Sequence, residues 1–121
     1  MNGIIQHAIY NLPISYTLLS SRGYELEFSG SLSYHVIDLE RLREVTEGEL
    51  ELPVVNTLLN FIIQQTINSM LKDLAIEELD EKRPIIINRL KVAFRNEFWA
   101  RGLEFIDFQN FTVWSFDSGG T

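Results

Sequence analysis

The sequence predicts an α+β fold, a mostly antiparallel twisted sheet packed against two or three helices in the order β-β-(β)-α-α-α-β. Three observations predict it. Residues 24–36 alternate apolar and polar, with Gly30 at the midpoint. At Asp38 the apolar spacing changes to the helical period and keeps it to about Trp99. From Leu103 the chain returns to aromatic and β-branched residues. Strands and helices segregated in this way are the mark of an α+β domain rather than an alternating α/β one. The 121 residues fit one domain spanning 1–121, with loose ends expected at about 1–3 and 117–121.

The opening strands come first in the argument. Tyr24, Leu26, Phe28, Leu32, Tyr34 and Val36 share even positions, and Glu25, Glu27, Ser29, Ser31, Ser33 and His35 fill the odd ones. Side chains alternate across a strand, so one face of this long strand is buried. Gly30 at its midpoint marks a bulge or bend. Ile14, Tyr16 and Leu18 alternate upstream, and Ser20-Ser21-Arg22-Gly23 reads as a hairpin turn between the two strands. A further strand is expected between Ile4 and Leu12.

The helices follow. Asp38 caps a short one with apolar positions Leu39, Leu42 and Val45, stopped by Gly48. An acidic loop of Glu47, Glu49 and Glu51 leads to Pro53 in the first turn of a second helix expected to reach about Leu74. That helix is apolar on two sides: Val54, Val55, Leu58, Phe61 and Ile62 on one, Leu59, Ile63, Ile67, Met70 and Leu71 on the other. Such a helix packs on two surfaces. After an acidic turn at Glu77–Glu81, a third helix begins near Pro84. Ile86, Ile87, Leu90, Phe94 and Phe98 form its main stripe. Ile85, Val92 and Trp99, seven apart, form a second stripe flanked by Asn88, Arg89 and Arg95. Gly102 closes it, and the strand Leu103–Trp114 carries a bulge near Gln109-Asn110, because Ile106 and Phe108 share one parity while Phe111 and Val113 share the other.

Composition narrows the function. Without cysteine there is no disulfide scaffold, thiolate metal site or cysteine nucleophile. His7 and His35 are too few for a metal cluster without carboxylates. His35 lies on the polar face of its strand, and His7 has no motif around it. Ser20-Ser21 and Ser118-Gly119-Gly120 lack the Gly-x-Ser-x-Gly pattern of a nucleophile elbow, and no glycine-rich phosphate loop exists. The expectation is therefore no enzyme activity, no catalytic or metal-ligating residue and no cofactor. A net charge of −7 argues against nucleic acid as the partner. Residues 82–101 nevertheless hold six of the ten basic residues and one acid, a net +5 that leaves −12 on the rest. No signal peptide and no run of about 18 apolar residues is visible, so a soluble, cytoplasmic protein is expected.

Three stretches, in this order and spacing, resemble the band-7 or SPFH domain of stomatin, prohibitin and flotillin, which also has a soluble branch of virion-core-like proteins. They are Phe28-Ser29-Gly30-Ser31-Leu32-Ser33-Tyr34-His35-Val36-Ile37-Asp38, Leu74-Ala75-Ile76-Glu77-Glu78-Leu79-Asp80-Glu81-Lys82-Arg83, and Gly102-Leu103-Glu104-Phe105-Ile106-Asp107-Phe108. The resemblance covers roughly residues 20–114. Asn110 departs from it, standing where the family places an aliphatic residue. The resemblance implies a twisted sheet against helices and a scaffold role: oligomerisation, often peripheral to a membrane through flanking segments, with no shared catalytic centre.

The leading expectation is thus a non-enzymatic scaffold domain that self-associates or docks a partner protein. Its surfaces are Ile85, Arg89, Val92, Arg95 and Trp99 of the third helix and the spare face of the second. The alternative is a small-ligand or lipid-binding domain, with a pocket between sheet and second helix lined by Phe28, Tyr34, Phe61 and Phe111.

Overall fold

Alternation along residues 24–36 produces the central strand of a three-stranded antiparallel sheet. In this computed structural model, which describes residue 4 and residues 7–117, β1 (Ile9–Leu19) and β3 (Leu103–Asp117) flank β2 (Tyr24–Val36). All six even-numbered apolar residues of β2 are buried. The expected loose ends at 1–3 and 118–121 lie outside the described residues, whereas Asp117 is the last residue of β3 and pairs opposite Tyr24. No separate strand precedes β1 among the described residues. Residues 9–12 are its first turns of pleat, because Pro13 sits on an edge strand where a missing N–H is tolerated. Ile4 instead donates its N–H to the Leu50 carbonyl, 2.8 Å away.

Two bulges explain the irregular parity of β3. The first sets Gly30 against Asn110 and Phe111, and the second leaves Ile106 without a partner between Asp107 and Phe105. Each bulge inverts which side chains face inward. Leu103 and Phe105 point to the core, then Phe108 packs there, then Phe111 and Val113. The expectation that Ile106 and Phe108 share a face is therefore corrected: Ile106 is 40% exposed. Asn110 takes the left-handed backbone at φ 51°, which asparagine tolerates better than an aliphatic residue does. Gly30 has φ 125°, and a Cβ there would lie 2.6 Å from the Asn110 carbonyl oxygen.

Helices cover one face of the sheet. Asp38 caps α1 (Leu39–Val45), its side chain accepting the Arg41 N–H at 3.1 Å. α2 (Leu52–Leu71) stops three residues before the expected Leu74. The hairpin turn takes the next carbonyls: Ser20 and Ser21 donate to Lys72 O, Arg22 Nε to Asp73 O and the Tyr24 hydroxyl to Leu74 O. Carbonyls at a helix end need such partners, and here they tie the helix end to the first hairpin.

α3 runs from Ile76 to Trp99 with a break at Lys82, where φ is −118° and ψ 23°. The acidic stretch expected as a turn is therefore a first helical segment, and Leu79 in it is fully buried. Pro84 cannot donate to the carbonyl four residues back, which accounts for the break. Beyond it, Ile86, Leu90, Phe94 and Phe98 are buried. Phe94 and Phe98 meet Phe105 edge-on at 6.2 and 6.1 Å, and Phe108 stacks on Phe111 at 4.1 Å. This aromatic layer joins α3 to β3.

Candidate interaction surface

Burying one stripe of α3 leaves the opposite stripe outside. Ile85, Val92 and Trp99 are 49%, 51% and 62% exposed, and Arg89 and Arg95 are exposed beside them. The five expected residues thus lie on one outward face. The structure divides them along its length. Ile85, Arg89 and Val92 join Asn88 and Met70 of α2 around a shallow, largely apolar groove of about 380 Å³. Trp99 belongs to a smaller hollow at the C-terminal end, beside Ile37, Asp38, Arg41, Ala100 and Gly102. Met70, from the same apolar side of α2 as Ile67 and Leu71, is 37% exposed. The helix ends one residue beyond it, while Ile67 and Leu71 hold the core contact.

Internal pairing tempers the basic character of α3. Arg83 pairs with Asp80 at 3.3 Å, Lys91 with Asp107 at 3.0 Å and Arg101 with Glu97 at 2.9 Å. Lys91 holds the Asp107 carboxyl below the usual carboxylate range, with the Phe108 N–H helping and Arg95 adding a smaller pull. Among the described residues, Arg89 enters none of these pairs. Its charge remains available at the rim of the groove.

One apolar side of α2 is divided between exposed and buried residues. Val54 is 37% and Phe61 57% exposed, while Val55 and Ile62 from the same expected side are buried. Phe61 lines an open hollow with Tyr16, Gln64, Gln65 and Asn68. Of the four residues expected to line a ligand pocket, three pack in or against the core and Phe61 lies outside it. Phe28 and Tyr34 are buried in the core, Phe111 stacks on Phe28 at 6.3 Å, and Phe61 points away. The Tyr34 hydroxyl donates to Asn56 Oδ1 at 2.8 Å, and burial pushes its phenol pKa upward.

His35 pairs across the sheet rather than along its own strand. Its Nε2 lies 2.7 Å from Glu104 Oε1 across the β2–β3 pair, and the His7 ring stands edge-on at 6.5 Å. Among the described residues, no three His, Asp or Glu side chains converge in a metal-binding group, and no helix is long and apolar enough to cross a membrane.

One surface escaped sequence reasoning. On the outer face of the sheet, Leu19, Trp114 and Phe116 are 65%, 59% and 50% exposed. In register they flank two acids: Leu19 opposite Glu25 opposite Phe116, and Thr17 opposite Glu27 opposite Trp114. The signal was the bulge at Asn110, since parity carried past it turns Trp114 and Phe116 outward. Compared with protein-family models and with curated proteins, the chain matches none.

Proposed function

We propose that this chain is a non-enzymatic assembly domain of the band-7 kind, which self-associates through the outward face of α3. One observation carries the reading: Ile85, Val92 and Trp99 form an exposed apolar stripe on a rigid helix, flanked by arginines and bordered by an apolar groove. Tryptophan and arginine with surrounding aliphatic contacts are the composition of protein-binding hot spots. A single exposed apolar residue needs no explanation, but three in line on one helix do. The reading asks nothing of a catalytic group. A place at a membrane periphery would come from segments flanking this domain.

The test is the double substitution Val92→Lys, Trp99→Lys, followed by light scattering after size exclusion. The wild-type chain is expected to exceed monomer mass at high concentration, and the variant to be monomeric with an unchanged circular dichroism spectrum. A variant that assembles like the wild type contradicts the reading. So does one that loses its fold, because those side chains would then belong to the core.

A further inference from the structure

An assembly face needs a counterpart, and α3 is poorly suited to be its own. If two α3 helices met antiparallel across a two-fold axis at Val92, Ile85 would face the second copy's Trp99, and Arg89 would face the second copy's Arg95. A parallel pairing would set each arginine beside its own copy. Like charges brought together in a contact cost several kcal/mol. The complement should therefore be apolar and acidic.

The outer end of the sheet has that composition. Leu19, Trp114 and Phe116 are exposed there, and Glu25 and Glu27 lie between them on the central strand. Charge and hydrophobic pattern match in kind: α3 presents apolar residues with two arginines, and the sheet presents apolar residues with two glutamates. Glu25 and Glu27 are about 7 Å apart along their strand, and Arg89 and Arg95 about 9 Å apart along their helix, spacings that long arginine side chains can reconcile. A guanidinium can pair with a carboxylate and stack on an indole face in the same site. The two surfaces are also distinct elements of the molecule, so using one leaves the other free.

We propose that the sheet end is the receptor for α3 of a second copy of this chain, with Arg89 and Arg95 over Glu25 and Glu27 and the Val92–Trp99 stripe against Trp114, Phe116 and Leu19. The contact is heterologous: each copy offers α3 to one neighbour and its sheet to another, so assembly propagates into a ring or an open chain rather than closing as a two-fold dimer. This rests on the reading of α3 as an assembly face.

Mixing two defective variants tests it. Val92→Lys, Trp99→Lys spoils the helix face, and Glu25→Lys, Glu27→Lys spoils the sheet face. Each alone should self-associate at least about tenfold more weakly than wild type. Mixed one to one, they should form a heterodimer that grows no further, because only one good contact can be made. Trp114→Thr, Phe116→Ser is a second sheet variant, to be used if the charge reversal disturbs folding; it should behave in the same way. If the sheet variants assemble like wild type while the helix variant is monomeric, the sheet is not the receptor and the inference fails, with the α3 reading intact. Folded single variants that form no heterodimer on mixing also overturn it. A wild-type chain monomeric at every concentration overturns both readings.

Discussion

Gly102 shows how much one residue can decide. It closes α3 at φ 82°, and its carbonyl accepts the N–H groups of Ile37 and Asp38 at 2.9 and 3.0 Å. A Cβ there would lie 2.2 Å from the Asp38 carbonyl oxygen. Alanine therefore meets both a strained backbone and a backbone clash at the junction of α1, α3 and β3. Gly102→Ala should lower stability by about 2–4 kcal/mol, measurable by urea unfolding; an effect near zero would mean the junction is looser than this geometry. Tyr34 makes a second residue-scale prediction. Burial raises its phenol pKa in the folded chain, whereas the unfolded chain ionises near pH 10. Below that pH both states keep the proton and the contribution is whole. As pH rises further, the unfolded state releases its proton first and stability falls. Tyr34→Phe should show a shallower loss of stability from about pH 9 to about pH 11; parallel curves for the two proteins would contradict the burial argument.

At the scale of elements, α3 is one helix with two unlike faces. Phe94 is fully buried among Phe98, Phe105 and Phe108, and Val92, two positions away, is half exposed. Phe94→Ala should cost about 3–5 kcal/mol, whereas Val92→Lys should change unfolding by less than about 0.5 kcal/mol. Equal losses in thermal or urea melts would mean that the outer stripe is core after all. Both faces were legible in the sequence, because a 3.6-residue period separates Leu90, Phe94 and Phe98 from Ile85, Val92 and Trp99 without reference to any partner. β2 was legible for the same reason at period two. What was not legible arose where backbone geometry interrupts the period. The break at Lys82 turned the acidic Ile76–Glu81 stretch into a helical segment. The second bulge, at Ile106, has no glycine or asparagine to announce it, unlike the one at Asn110. The end of α2 was set by carbonyl partners 50 or so residues earlier in the chain, which no local pattern contains.

For the whole molecule, the consequence is an uneven surface. Among the described residues, helices cover one face of the sheet, and the other is serine-rich along its middle and aromatic and acidic at the hairpin end. The expected α3 residues are all outward, yet the sequence showed only half of the charge story. It revealed the +5 of residues 82–101 but not that Arg83, Lys91 and Arg101 are paired internally. Arg89 and Arg95 are exposed, and a contact made through two such residues would weaken with salt, since screening shortens the Debye length to about 10 Å at 0.1 M. Both tryptophans are mostly exposed in the isolated chain. The proposed contact of α3 upon the sheet would bury both, and it predicts that tryptophan emission moves to the blue as concentration rises.

The most direct measurement is sedimentation velocity of the wild-type chain over a dilution series, at low and at moderate salt. Self-association through α3 predicts species heavier than the 14.0 kDa monomer that grow with concentration and shrink with added salt. A single monomer boundary at every concentration and both ionic strengths would contradict it.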